Sequence, residues 1–137
     1  MNTQIIKKYF GFLSFFVLFL NAYYLQAQDN TGKAISEVEF AKRMQKRKTI
    51  VLDVRTPEEF REGHIKKAIN YNVLDSVAFD KQIGQLKKNK KYLIYCKSGK
   101  RSGKALVMMQ QKGFKNLYHL AGGITAWTQE IEKTVVQ

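Results

Sequence analysis

The chain has 137 residues and a strongly basic composition, with 24 Lys and Arg against 11 Asp and Glu and a formal net charge of +13. This length allows one domain, because a single core typically takes on the order of 100 to 150 residues. The chain has one cysteine, which excludes an internal disulfide and a thioredoxin-like mechanism that needs a second cysteine. Its cations are scattered and no nucleic-acid-reading motif accompanies them, so we expect no nucleic-acid partner.

Residues 1–27 have the pattern of a secretory signal peptide. Two lysines precede an apolar run of twelve residues over 9–20, and Ala27 is a small residue at which a signal peptidase can cut. An uncleaved membrane anchor is the alternative, because the run continues to seventeen mostly apolar residues over 9–25, near the lower limit of about 17 to 25 for a span. We expect an exported, periplasmic or extracytoplasmic domain, which contacts a membrane only if the segment is uncleaved. Removing the segment leaves a net charge of +11.

Helical and strand patterns alternate along residues 28–137, which predicts an α/β domain with a mostly parallel sheet and a core over about 34–134. The first predicted helix follows Ser36, which forms a capping-box pattern with Glu39, and it runs to about Arg47.

A strand is predicted over 49–54, and a short helix follows it. Thr56 and Glu59 form a second capping box, Pro57 takes the first helical position and Gly63 ends the helix.

The remaining elements are equally well delimited. A strand over 68–71 precedes a helix that starts after Asp75 and reaches Leu86. The later elements are predicted as a strand at 92–95, a helix that ends at Gly113, a strand at 116–120 and a terminal helix at about 124–133.

The single cysteine, Cys96, lies between a strand and a helix in the segment YLIYCKSGKRSGKAL, residues 92–106. Free backbone N–H groups in such a turn and the positive end of the helix dipole favour an anion. A thiol in this position, close to cations, can have its pKa lowered from about 8.5 into the range of roughly 3.5 to 7.5. Gly99 allows the loop a positive φ. The segment therefore predicts a reactive thiolate rather than an inert core cysteine.

Three motifs resemble the rhodanese family of sulfurtransferases. The active loop of that family has the form Cys-x-x-Gly-x-Arg, which matches Cys96, Gly99 and Arg101. Upstream, LDVRTPEEFREGHIKKAIN at 52–70 is similar to the family's first signature, and LAGGITAW at 120–127 is similar to its closing signature.

The resemblance implies one rhodanese-like domain over 28–137, with a central, mostly parallel five-stranded sheet flanked by helices. One departure is visible in the first signature. Family members often carry Pro-Gly where Lys66 and Lys67 stand in this chain, a difference that concerns the local turn and not the chemistry.

The resemblance also implies a sulfurtransferase that works by double displacement. The Cys96 thiolate attacks the outer sulfur of an anionic donor such as thiosulfate or a persulfide, becomes a persulfide, and passes the sulfur to a thiol or cyanide acceptor. No metal or organic cofactor is implied, and we expect a monomer. The residues expected to hold the donor form the active loop: Lys97, Ser98, Gly99, Lys100, Arg101 and Ser102.

Asp53 and Arg55 are predicted to support this site. They follow a strand whose carboxyl end is a place where ligands of parallel sheets collect. If that strand neighbours the Cys96 strand, Arg55 adds positive charge near the site and Asp53 accepts hydrogen bonds from the loop backbone or from Arg101. The alternative is a structural ion pair far from the substrate.

Two other functions stay open. A phosphatase or arsenate reductase also uses a cysteine in an anion-binding loop that ends in arginine, but those loops have five intervening residues and this one has four, 97–100. The other is a noncatalytic sulfur-relay or binding module that a partner loads. His64 and His119 are interpreted as structural residues.

Overall fold

A sheet of five short parallel strands forms the centre of the described domain. The computed structural model describes residues 32–133, and the spatial order of the sheet is β1-β6-β5-β2-β4. The strands are, in chain order, β1 (Lys33–Ile35), β2 (Thr49–Asp53), β3 (His64–Ile65), β4 (Ala68–Asn70), β5 (Lys91–Tyr95), β6 (Leu117–Leu120) and β7 (Ile131–Glu132). The predicted α/β fold with a five-stranded parallel sheet is confirmed.

Within residues 32–133, four α-helices flank the sheet: α1 (Glu37–Met44), α2 (Pro57–Glu62), α3 (Ser76–Gly84) and α4 (Lys100–Gln111). Their predicted N-caps are confirmed. The backbone N–H of Glu39 donates to the Ser36 hydroxyl at 3.4 Å, and Thr56 and Glu59 form the reciprocal capping box. Asp75 accepts from the first turn of α3. Each cap satisfies an N–H group that lacks an intrahelical partner.

β5 shows how the sheet is buried on both faces. Tyr92 and Ile94 pack in the apolar cluster that contains residues of α3 and α4, while Leu93 and Tyr95 pack in the cluster on the other face with Phe40 of α1. Successive side chains of a strand point to opposite faces, so a strand covered on both faces reads as a continuous apolar run. The next residue, Cys96, faces the α4 side.

The C-terminal part of the domain differs from the helix predicted over 124–133. The residues Gly123–Ala126 form a short 3-10 helix, and β7 pairs antiparallel with β3. Two consecutive glycines cause the difference, because Gly122 and Gly123 both have positive φ, 78° and 61°. The N–H groups that follow them bond to the carbonyls of the Cys96 loop, so tertiary contacts override the local helical pattern.

No helix within residues 32–133 is long and apolar enough to cross a membrane. The predicted signal peptide, residues 1–27, lies outside the described residues, and it stays a prediction together with the domain boundary at residue 28.

Candidate active site

Cys96 lies at the carboxyl end of β5, between the neighbouring strands β2 and β6. The chain turns there into α4, and Gly99, with φ 98°, precedes the first helical residue. The backbone N–H of Gly99 donates to Cys96 Sγ at 3.1 Å. The loop therefore closes around the sulfur atom, with the N-terminus of α4 aimed at it.

The Cys96 side chain is buried, with 1% of its surface exposed. Burial raises the pKa of the thiol and is the largest single influence on it. Acting together, the N–H and hydroxyl of Ser102 and the N–H groups of Gly99 and Ser98 outweigh burial, so the pKa lies below the ordinary value. Hydrogen bonds to an anion favour the ionised form, and the loop thus stabilises a thiolate.

Ser102 extends this network away from the sulfur. Its hydroxyl is fully buried and lies 3.6 Å from Cys96 Sγ. It also lies 3.1 Å from the Gly99 carbonyl oxygen and 3.2 Å from Nδ1 of His119. His119 belongs to β6. Nothing local in the sequence indicates that it lies beside Ser102, because the two residues are 17 positions apart.

Arg101, the last residue of the motif, is held by Glu59. Its two terminal nitrogens donate to the two carboxylate oxygens at 2.7 and 2.8 Å. This pairing with Arg101 lowers the pKa of Glu59 to about 2. Glu59 also caps α2 by accepting from the Thr56 N–H at 3.1 Å. The sequence predicted only the capping role, since nothing local indicates a partner 42 positions away.

Asp53 and Arg55 form a buried ion pair beside the loop. Arg55 Nη2 donates to Asp53 at 2.6 Å and to the Gly63 carbonyl at 2.7 Å. Asp53 is fully buried, and Arg55 is 6% exposed. Within residues 32–133, no hydrogen bond joins Asp53 to Arg101, whose guanidinium bonds to Glu59 instead. The expected hydrogen bond from Asp53 to Arg101 is therefore absent from this part of the chain, and the pair lies beside the loop rather than far from it, because Asp53 pairs with Tyr95 in the sheet. The support that Asp53 and Arg55 give to the site stays a prediction.

The closing signature supports the loop from the other side. The N–H of Ile124 donates to the Cys96 carbonyl at 2.8 Å, and the N–H of Thr125 donates to the Lys97 carbonyl at 3.1 Å. A Cβ at Gly123 would lie within 2.5 Å of the Cys96 carbonyl oxygen. The two backbones approach this closely only because residue 123 is a glycine. The sequence identified the closing signature but not its contact with the loop.

The remaining loop side chains form the rim of the site. Lys97, Ser98 and Lys100 are exposed. Among the described residues, neither lysine forms an ion pair. Both ammonium groups are therefore available to an anion that approaches Cys96.

Comparison with known proteins agrees with this geometry. The family model described as "Rhodanese-like domain" matches residues 36–130. A rhodanese-related protein from Thermoplasma volcanium superposes with a TM-score of 0.64 at 27% identity, over 73% of this chain and 97% of that one. A rhodanese-like domain protein from Staphylococcus aureus has the same TM-score and identity, over 75% of this chain and 99% of that one.

The curated relatives are longer proteins. A tRNA uridine(34) hydroxylase from Pelagibacter ubique is 35% identical over 80% of this chain and 36% of its own length. The protein of the same name from Onion yellows phytoplasma is 33% identical over 74% of this chain and 34% of its length. The chain thus spans about a third of the curated relatives that it matches.

These relatives contradict the predicted location. The N-terminal pattern predicted an exported, periplasmic or extracytoplasmic domain. The relatives that are 33 to 35% identical to this chain are instead named for the hydroxylation of a uridine in tRNA. The prediction of export is therefore wrong. The family model covers residues 36–130, which is more than half of the chain, and a solved rhodanese-related protein shares its fold, so this protein belongs to the rhodanese-like domain family.

Proposed function

We propose that this domain is a sulfurtransferase that carries a sulfane sulfur as a persulfide on Cys96. The observation that supports it most strongly is the 3.1 Å hydrogen bond from the Gly99 N–H to Sγ inside a loop that lowers the pKa of the thiol. A thiolate is the nucleophilic form of cysteine. The same amides stabilise the negative charge after the sulfur has been added.

With thiosulfate as donor, the reaction has two balanced steps. The Cys96 thiolate attacks the outer sulfur, a new S–S bond forms, the S–S bond of thiosulfate breaks and sulfite leaves with the electron pair. An acceptor, a thiolate or cyanide, then attacks the outer persulfide sulfur, and the Cys96 thiolate leaves. Dividing one transfer into two displacements is the general advantage of a covalent intermediate.

The burial of Cys96 favours a donor whose reacting end is narrow. Because Cys96 is 1% exposed, a terminal sulfur atom reaches Sγ more easily than a tetrahedral phosphoryl group does. Arg101 is already paired with Glu59, so the exposed Lys97 and Lys100 are left to attract the anionic end of a small donor. This arrangement favours sulfur transfer over the phosphatase or arsenate reductase chemistry considered from the sequence.

The direct test is the intact mass of the protein after incubation with thiosulfate. We expect a gain of one sulfur atom that cyanide removes, and no gain in Cys96→Ser. Thiocyanate release over many cycles would support an enzyme, while a persulfide that forms once and does not turn over would support the sulfur-relay module. Absence of the adduct on folded protein, or release of phosphate from an aryl phosphate, would contradict the proposal.

A second candidate is a reaction on tRNA, favoured by the relatives that are named for it. The exposed loop lysines also suit a phosphate backbone. The discriminating experiment offers the protein tRNA that lacks modification at uridine 34, together with dissolved O2 as oxidant and a thiol that supplies the two electrons needed to reduce the second oxygen atom to water, and measures the nucleoside mass. A gain of one oxygen atom that depends on Cys96 would favour this candidate, whereas unchanged tRNA beside a stable persulfide would favour sulfur transfer.

A further inference from the structure

The Ser102 hydroxyl lies among more acceptors than it has hydrogens. A serine hydroxyl carries one hydrogen, and three atoms lie within reach of it: the Gly99 carbonyl oxygen at 3.1 Å, His119 Nδ1 at 3.2 Å and Cys96 Sγ at 3.6 Å. The bond to Gly99 is the local i−3 contact that serine commonly forms in a helix. Unless something redirects the hydrogen, the sulfur anion competes for it with two nearer acceptors.

His119 is the neighbour that can change this competition. A carbonyl oxygen only accepts, whereas an imidazole nitrogen accepts when it is bare and donates when it carries a proton. A bare Nδ1 takes the Ser102 hydrogen away from the sulfur. A protonated Nδ1 donates to the Ser102 oxygen and no longer competes for its hydrogen, which leaves the Gly99 carbonyl as the one rival of the sulfur among these three atoms. The negative charge of the thiolate then favours the sulfur, because hydrogen bonds to an ionised acceptor are stronger than those to a neutral one.

Which nitrogen of the His119 ring carries the hydrogen depends on its hydrogen bond with Ser102. The ring is partly buried in β6 and lies beside Gly103 of α4. Burial lowers the pKa of His119 and is the sole cause of the shift, so the ring is neutral at neutral pH and only one nitrogen carries hydrogen. Cys96 is a titratable group that faces the ring across Ser102.

We propose that His119 is a positioning residue for Cys96: its Nδ1–H donates to the Ser102 oxygen and thereby directs the single Ser102 hydrogen onto the sulfur anion. The inference deepens the proposed function and rests on it, because it concerns the same thiolate.

Formation of the thiolate balances along this chain of atoms. The Sγ–H bond breaks as the hydrogen passes to the Ser102 oxygen, while the hydrogen of Ser102 passes to Nδ1. The products are a thiolate, an intact hydroxyl and an imidazolium. The imidazolium then releases its Nε2 hydrogen to water, which leaves the neutral ring with hydrogen on Nδ1. A nearly buried thiol thus gains a route by which its hydrogen reaches solvent.

The test is the pH dependence of Cys96 alkylation by iodoacetamide, which reports one site because the chain has one cysteine. His119→Phe keeps a ring but removes the donor, and we expect the titration midpoint to rise by about one pH unit, equivalent to about tenfold slower alkylation below the midpoint. Ser102→Ala should raise the midpoint at least as much. Because His119 acts through Ser102, the double variant should match Ser102→Ala alone.

Two further variants separate positioning from a general loss of structure. His119→Asn places an amide N–H near the position of Nδ1–H, so it should restore most of the wild-type midpoint. His64→Asn alters the other histidine, which contacts Phe60 and not the loop, and should leave the midpoint unchanged. Additive effects of His119→Phe and Ser102→Ala, or a wild-type midpoint in His119→Phe, would overturn the proposal.

A variant-free measurement covers the case in which His119→Phe does not fold. Nitrogen-15 NMR of the wild-type ring should show hydrogen on Nδ1 while Cys96 is a thiolate and a change at Nδ1 once Cys96 is alkylated. A bare Nδ1 in the thiolate form would refute the inference. Alkylation and NMR need no sulfur donor, so a failure of persulfide formation is distinguishable from a failure of this proposal.

Discussion

Gly123 is the residue on which the shape of the active loop depends most directly. Its φ of 61° lies in the left-handed region, and an added Cβ would collide with the Cys96 and Lys97 carbonyls. Neither carbonyl can retreat without moving the loop that holds the sulfur. The glycine thus links a backbone constraint to the position of the Cys96 sulfur.

We therefore expect Gly123→Ala to destabilise the protein by about 2 kcal/mol or more and to slow persulfide formation by about 10²-fold, the usual cost of a 1 Å misplacement. Denaturant unfolding and the rate of thiosulfate-dependent mass gain measure the two effects. Gly84→Ala is the matched control, since nothing lies within 4 Å of its added Cβ, and it should be neutral or slightly stabilising. A fully active Gly123→Ala variant would show that the close approach at this glycine does not position the Cys96 loop.

Glu59 contributes stability with a defined pH dependence. Pairing with Arg101 lowers its pKa in the folded protein from 4.5 to about 2, so its stabilising effect is complete above pH 4.5 and disappears as the pH falls through about 2. The side chain is 27% exposed, and solvent screening limits the contribution to about 1 to 2 kcal/mol.

Glu59→Gln should therefore lower the free energy of unfolding by about 1 to 2 kcal/mol at neutral pH, and the difference from the wild type should vanish between pH 4.5 and about 2. Chemical denaturation at a series of pH values provides the measurement. Glu58→Gln changes a neighbouring carboxylate that is 69% exposed and should have a smaller effect. A difference that persists unchanged in acid would show that the pairing with Arg101 is not its cause.

The Asp53–Arg55 pair connects two secondary-structure elements, the end of β2 and the end of α2. Arg55 reaches the Gly63 carbonyl, and Asn70 of β4 donates to the backbone carbonyls of Asp53 and Arg55. These contacts fix the loops that flank the Cys96 turn. We therefore expect the pair to act on the site through the scaffold that holds it, since within residues 32–133 neither side chain forms a hydrogen bond with the sulfur.

Asp53→Asn leaves the Arg55 guanidinium buried without its counter-charge, and we expect a loss of about 3 to 5 kcal/mol in unfolding free energy. The double change Asp53→Leu with Arg55→Met removes both charges and should cost less than the single change. Thermal and denaturant unfolding measure the loss of unfolding free energy in the two variants. Equal losses in both would mean that the ion pair is not what Asp53→Asn disrupts.

Local signals in the sequence predicted the elements that depend on local chemistry. Ser36, Thr56 and Asp75 begin helices because each cap needs only a backbone N–H three residues away. The terminal helix was wrong because the conformation of Gly122–Gly123 is set by the Cys96 loop, far away in the chain. For the same reason Glu59 was recognised as a cap and not as the partner of Arg101.

At the scale of the molecule, the net charge of +13 should assist anions on their way to the loop. Interactions between exposed charges weaken as the Debye length falls from about 30 Å at 0.01 M salt to about 8 Å at 0.15 M. We expect kcat/KM for thiosulfate to fall severalfold over this range. Alkylation by anionic iodoacetate should slow in parallel, while alkylation by neutral iodoacetamide should hardly change. Equal salt dependence of the two reagents would exclude electrostatic attraction as the cause.

The proposed transfer requires main-chain amides that hold Cys96 as a thiolate, and the ultraviolet absorbance of the thiolate reports that charge. Titrating the wild-type protein against Cys96→Ser isolates the signal of this single sulfur. We predict a midpoint below the ordinary thiol value of about 8.5, in keeping with the lowered pKa of Cys96. A sulfur that is still protonated above about pH 9 would contradict the claim and leave the proposed transfer without its nucleophile.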